Sequence, residues 1–262
     1  AMASLGTGIA APGQMVITVG TSGAVRKVVA EPWFDPAERT WCYLLAGNRW
    51  IVGGAINNGG LALQWVREKL YPDLAGEAGY DQLARDAQTV PPGAEGVFLL
   101  PYFAGERSPH WAPSDRGMLY GLGMEHTRKH MARAAMEGVA NCLADVRDAL
   151  YGSETTEEVV RLTGGITRTP LWVQILADVL GVPLMALEVA DTSASGAALL
   201  GMHALGLIRA DQMARTVEPG PIYTPDPERH TFYQQHHREF KALRRGMAAM
   251  GETLDNLKES IL

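Results

Sequence analysis

The stretch LTGGITRTPLWVQILADVLG, Leu162–Gly181, sets a short apolar run against an amphipathic helix, with two glycines, Gly164 and Gly165, at the joint. The run 159–162 reads as a strand and 170–180 as a helix. VPLMAL (182–187) then reads as the next strand, and TSASGAALLGMHALG (192–206) as the next helix, capped by Thr192 or Ser193. Strand, helix, strand, helix in sequence implies parallel strands joined by right-handed crossovers, so the chain is of the α/β class.

Working outward, 15–19 and 24–29 read as strands separated by the turn GTSG (20–23), and 41–45 as a third, an antiparallel meander. WIVGGAINNGGLALQWVREKL (50–70) reads as a glycine- and asparagine-rich start signal before a helix carrying Leu61, Leu63, Trp65, Val66 and Leu70. A polar, helical stretch runs to Gln88, VFLLPYF (97–103) is a strand candidate, and 104–123, rich in Gly and Pro, reads as an extended loop. From His126 a long helix is expected, because Met131, Ala135, Val139, Cys142, Leu143, Val146 and Leu150 recur at three- and four-residue steps. The tail after Pro227 reads as a charged amphipathic helix presenting Phe240, Leu243, Met247 and Met250. Spacing leaves two partners open for that face: the domain itself, or a second copy in a homodimer.

With 262 residues, 47% hydrophobic and 20% charged, the chain has the composition of a soluble globular protein with a sizeable core. The weakly charged segment 192–207 is too short and too rich in small residues to span a membrane. A net charge of −6 without a Lys/Arg cluster argues against a nucleic-acid partner. Cys42 and Cys142 lack CxxC spacing and read as buried thiols of a reducing cytoplasm. No basic and apolar leader is visible at the N-terminus, AMASLGTGIAAPGQ.

Glycine between a strand and a helix lets a ligand approach the main chain, where free N–H groups and a partial positive charge await an anion. Three such joints occur: GTSG (20–23), NNGG (57–60) and TGG (163–165). Each is open to a plainer reading as a turn or a close helix–strand contact. No Gly-Lys dipeptide and no GxGxxG exist, so any nucleotide must be held by glycine turns and hydroxyls, such as those of Thr21 and Ser22.

Three further groups invite chemistry. Asp191 is read as a helix cap rather than a metal ligand. His230, His236 and His237 are read as a solvated helix face, since adjacent helical residues point about 100° apart and no neighbouring Cys or carboxylate completes a ligand spacing. Glu106, Arg107, His110 and Trp111 belong either to a structural clasp or to a cleft-facing site, while Asp115 and Arg116 pair or are solvated.

GMLYGLGMEHTRKHMARAAME (117–137), including Gly121, His130, Ala134 and Glu137, resembles the second signature of the FGGY carbohydrate kinases. GERSPHWAPSDRG (105–117) is similar to the loop before it, and LTGGITRTPLWVQILADVLGVPL (162–184) to the family's adenosine-binding segment. VITVGTSGAVR and WIVGGAINNGGLALQWVRE look most like the gluconate kinases, with xylulose and glycerol kinases less similar. The resemblance covers essentially the whole chain. It implies a ribonuclease H-like, actin-type ATPase domain, with a mixed sheet and flanking helices. Residues 1–262 would be the C-terminal, nucleotide-binding domain of a cytoplasmic sugar kinase, with the N-terminal sugar-binding domain absent.

By the same resemblance, Gly20, Thr21 and Ser22 would meet phosphate, Gly60 and Gln64 would flank the nucleotide, and Gly164, Gly165 and Thr169 would meet adenosine. Thr169 stands where some relatives carry asparagine. ATP with Mg²⁺ is the implied cofactor, and a sugar or sugar acid, foremost D-gluconate, the acceptor. The family's base is an Asp about twenty residues before the phosphate threonine, a position upstream of Ala1. No catalytic or metal-binding residue is therefore assigned within this chain, and it is expected to be inactive alone. A xylulose kinase-like or other polyol kinase, and a non-enzymatic actin-fold binding module, are the alternatives.

Overall fold

Alternation of side chains across Met15–Val19 decides the layering. Met15, Ile17 and Val19 enter one apolar cluster and Val16 a second, so the strand is buried on both faces. The structure is a computed structural model that describes residues 1–46, 48–74, 76–151, 159–188, 191–213 and 217–259. Its strands are β1 (Met15–Val19), β2 (Gly23–Val29), β3 (Trp41–Ala46), β4 (Arg49–Ile56), β5 (Phe98–Leu100), β6 (Met118–Tyr120), β7 (Val160–Thr163), β8 (Leu184–Ala186) and β9 (Ile222–Tyr223). The helices are α1 (Met2–Gly6), α2 (Gly60–Leu70), α3 (Gly76–Gln88), α4 (Arg128–Tyr151), α5 (Pro170–Leu180), α6 (Thr192–Ala204) and α7 (Pro227–Glu259).

Seven strands form one mixed sheet in the order β3-β4-β2-β1-β7-β8-β9. The β1–β7 and β7–β8 pairs are parallel and the rest antiparallel, which agrees with the expected meander followed by crossover units. Helices α2, α4 and α5 supply the larger cluster on one face through Leu63, Val66, Val139, Leu143, Val173 and Leu176. On the other face Leu5 of α1 and Ile9 pack with Val16, Val28 and Ile51, and Leu200 of α6 lies against them.

Several expectations need correction. Residues 50–59 are not merely the lead into a helix: Arg49–Ile56 is an eight-residue strand between β2 and β3. Its central glycines mislead because they mark close packing. A Cβ on Gly53 would meet the Trp41 ring and the Val25 carbonyl, and one on Gly54 the side chains of Val146 and Ser108. The 104–123 segment is not wholly loop, since Met118–Tyr120 pairs with β5. The cap of α6 is Asp191, whose Oδ1 accepts from the Ala194 amide at 3.0 Å, rather than Thr192 or Ser193. Reading Asp191 as a cap was right. Cys142 is buried as expected, whereas Cys42 is only half-buried.

The three tail histidines are not a solvated face. His236 is buried against the Phe98 ring, with centroids 4.4 Å apart, and His230 Nδ1 lies 2.8 Å from the Asp178 carbonyl oxygen. His237 Nε2 stands 3.2 Å from Asp145 Oδ1 and 3.4 Å from Asp148 Oδ2. The carboxylates missing from the local sequence come from α4. Lys241 Nζ at 3.1 Å from Asp148 and His110 at 3.2 Å from Asp145 complete an internal ion-pair network. On α7, Phe240, Leu243 and Met247 pack on the domain core, while Met250 is exposed.

Candidate nucleotide cleft

At the carboxyl ends of β1 and β7 the sheet opens into a cleft of about 460 Å³. Its walls are Val19, Gly20 and Thr21 from the β1–β2 turn, Gly60, Leu63 and Gln64 from α2, and Glu77, Tyr80 and Asp81 from α3. Gly165, Ile166, Arg168, Thr169 and Trp172 from the β7–α5 joint complete them. Ends of parallel strands beside helix N-termini are where open α/β sheets place their ligands. Six of the eight residues singled out from sequence, Gly20, Thr21, Gly60, Gln64, Gly165 and Thr169, line this one cavity.

Ser22 and Gly164 do not line it. Gly164 has φ +101°, and a Cβ there would lie 2.3 Å from the Val19 carbonyl oxygen. Its bareness allows the approach of β7's end to β1. Gly165 differs: a Cβ would only touch that oxygen at 4.0 Å, and the residue is exposed toward the cleft. Gly20 has nothing within 4 Å of a built Cβ.

The amides at the start of α2 are not free. Gly60 N donates to Gly20 O at 2.7 Å, and Gly59 N and Leu61 N donate to Thr21 O at 3.0 and 3.1 Å. The unpaired donors of a helix start are thus taken up by the carbonyls of the GTSG turn. This fastens the turn to α2 and leaves Thr21 exposed at the mouth. At α5, Thr169 occupies the N-cap without a side-chain cap bond, and Pro170 begins the helix. Thr169 borders the cavity.

Sequence reading missed Glu77, Tyr80, Asp81 and Trp172. Three lie on a helix read only as polar, and Trp172, whose indole donates to Met136 O at 3.0 Å, follows the helix periodicity of a core residue. No local pattern separates them from their neighbours.

The 104–117 loop clasps the far side of α2's start. Buried Glu106 accepts from Asn57 N at 2.7 Å and Arg107 N at 2.8 Å, while Asn58 bonds Gly105 O and Ala104 N. Burial pushes the Glu106 carboxyl up to about 7, against these N–H donors and the Arg107 charge. Trp111 Nε1 donates to Glu38 O at 2.9 Å. Asp115 pairs with Arg244 at 3.3 Å and not with Arg116, which donates to Pro113, Ser114 and Asp115 carbonyls.

A mixed sheet flanked on both faces by helices, with a cleft built from strand ends, is the architecture of an actin-type ATPase domain. Residues 15–205 match the model of the FGGY family of carbohydrate kinases, C-terminal domain, and the chain belongs to that family. It is 34% identical to a gluconokinase of Bacillus subtilis (strain 168), covering 97% of this chain and 50% of that protein. It is 38% identical to a gluconokinase of Bacillus licheniformis over 79% of this chain and 42% of that one. A gluconate kinase from Lactobacillus acidophilus superposes with a TM-score of 0.87 at 29% identity, over 97% of this chain and 51% of that structure. The chain thus spans about half the length of the curated relatives it matches. No helix among the described residues is long and apolar enough to cross a membrane.

Proposed function

We propose that this chain is the ATP-binding half of a cytoplasmic kinase that phosphorylates D-gluconate to 6-phosphogluconate. The single observation carrying the nucleotide assignment is the convergence of Gly20, Thr21, Gly60, Gln64, Gly165 and Thr169 on one cleft. The residues fit the group. Gly20 and Gly165 present open main chain, Thr21 and Thr169 offer hydroxyls, and Leu63, Ile166, Tyr80 and Trp172 give apolar surface for a base. Mg²⁺ bound to the phosphates would neutralise charge developing in transfer, and it needs few protein ligands. The cluster of Asp145, Asp148 and His237 shares no residue with the cleft lining and plays no part in this reading.

Within the chain, the fastened GTSG turn positions the phosphate end and the β7–α5 joint the nucleoside end. Deprotonation of the acceptor hydroxyl falls to a carboxylate outside these residues, a contribution typically of about 10²- to 10⁴-fold. Gluconate is favoured as acceptor by the two Bacillus gluconokinases described above, and a xylulose kinase of Escherichia coli (strain K12) at 30% identity supports the second choice of a ketose. Titrating ATP or ADP with Mg²⁺ tests the reading. Nucleotide at 100 times its Kd stabilises the chain by about 2.7 kcal/mol, while the chain alone turns over no gluconate. Absence of a thermal shift at millimolar nucleotide, or gluconate phosphorylation by the purified 262-residue chain, overturns it.

A further inference from the structure

Thr18 and Arg26 lie on the sheet face opposite Ile17 and Val25, the face that carries Val16 and Val28. Toward the GTSG turn this face is floored by small residues. Ala24 stands opposite Thr18 and Ala55, and Gly53 opposite Arg26, with the Trp41 ring over Gly53. Arg26 Nη1 donates to Thr18 Oγ1 at 3.3 Å, and Arg107 Nη2 donates to Ile56 O at 3.1 Å, where Ile56 pairs with Gly23 at the turn end of the same strands. Among the described residues neither guanidinium forms an ion pair with a carboxylate.

Arg26 is half-buried without a carboxylate beside it, which is costly, and the nearby charge of Arg107, itself exposed and next to Glu106, adds to that cost. Burial lowers the Arg26 pKa, and the charge of Arg107 lowers it further, so the two cations share one neighbourhood. Arg26 lies three residues along an extended strand from Gly23, about 10 Å. That separation suits a linear acceptor whose reacting hydroxyl lies at the phosphate turn and whose other end carries the charge.

We propose that Arg26 and Arg107 form the seat for the carboxylate of a sugar-acid acceptor and so determine the preference for acids over neutral sugars. The inference rests on the kinase reading above. Arg26 supplies the half-buried charge, positioned by Thr18; Arg107, held by the Ile56 carbonyl and the clasp of the 104–117 loop, closes the seat from the turn side. A guanidinium matches a carboxylate with paired N–H donors, which a neutral hydroxymethyl group cannot exploit.

The test separates this assignment from the kinase reading by using two acceptors and a nucleotide arm. In the full-length polypeptide, Arg26→Gln should lower kcat/KM for D-gluconate about 100-fold and leave that for a neutral ketose or polyol within about threefold, with Arg26→Lys partly restoring gluconate use. Arg107→Lys, which keeps the charge but loses the fork, should show the same acid-selective loss to a smaller degree. The Kd of the 262-residue chain for ATP should be unchanged by either variant. An equal fall with both acceptors, a fall in ATP affinity, or a wild-type enzyme that prefers neutral sugars overturns the carboxylate seat. The last of these leaves the kinase reading standing, whereas failure of the wild-type chain to bind nucleotide removes that reading as well.

Discussion

At the cleft, Gly20, Thr21 and Gly165 present main chain to solvent with little side chain in the way. Between α4 and α7 the opposite holds. Arg133, Glu137, Asn141 and Asp145 recur every fourth residue along α4, and all four are buried against Tyr233, His236 and His237 of α7. Glu137 Oε1 gathers Arg133 Nε at 2.7 Å, the Tyr233 hydroxyl at 2.7 Å and Gly93 N at 3.0 Å. The contrast separates two uses of polarity. The cleft keeps its donors and acceptors for something that comes and goes, whereas the seam spends its own on one another and fixes α7 to the sheet-bearing core. Residues of the seam should therefore move stability without touching ligand affinity, and residues of the cleft the reverse.

The largest effect is expected from Arg133→Met. It leaves Glu137 buried at 1% exposure with its main cationic partner gone, and breaking such a pair costs about 3–5 kcal/mol. Urea denaturation should show that loss as a lower midpoint at unchanged slope, while the stabilisation added by saturating nucleotide stays as in the wild type. A loss below about 1 kcal/mol would mean the seam is ornamental, and the contrast with the cleft would fail.

The two regions also differ in how readable they were. The cleft could be found because glycine at a strand–helix joint is a local signal, and all three joints flagged in sequence lie around it, although Gly164 is bare for its own backbone's sake. The seam could not. Its polar stripe on α4 looks like the wet side of an amphipathic helix, and its partners stand about a hundred positions later, as in the Arg133–Tyr233 bond. Nothing local distinguishes a charge facing water from one facing a buried tyrosine. Strand β4 was lost for a related reason: Gly53 and Gly54 look like turn residues until Trp41 and Val146 are known to press on them.

Next in size comes a comparison within the cleft itself. Gly164→Ala places a side chain at φ +101° against the Val19 carbonyl and should cost about 1–3 kcal/mol. Gly165→Ala, one residue on, should leave stability within about 0.5 kcal/mol and instead weaken nucleotide binding, because its Cβ meets only the Val19 oxygen, at an ordinary 4.0 Å, while the residue borders the cleft. Thermal melts with and without Mg·ATP report both quantities. If the two variants behave alike, the distinction between a structural glycine and a ligand-facing one is wrong.

The smallest effect, and the sharpest probe of the seam, is its pH dependence. Burial lowers the His236 pKa, outweighing the nearby Glu137 charge. Burial would lower His237 too, but the Asp145 and Asp148 carboxylates outweigh it and raise its pKa. The neighbours therefore pull in opposite directions around the ordinary histidine value of about 6.5. His237 binds its proton more tightly when folded, so its contribution is complete below that value and is lost as pH rises through the raised folded pKa. His236 binds its proton less tightly when folded, so stability falls as pH drops below about 6.5 toward its lowered pKa. Each histidine limb can be no steeper than one proton's worth, about 1.4 kcal/mol per pH unit, and both ride on the fall that Glu106, with its carboxyl pushed up to about 7 in the fold, contributes as pH rises toward that value, so each limb is read as the difference between a variant and the wild type. His237→Gln should flatten only the alkaline limb and His236→Gln only the acid limb above the range where Asp145, held near 2, begins to protonate. The readout is the shape of the urea midpoint between pH 5 and 9, not its height, since either substitution also disturbs packing. Parallel curves for all three proteins would show that the histidines carry no such linkage and that the seam is held by shape alone.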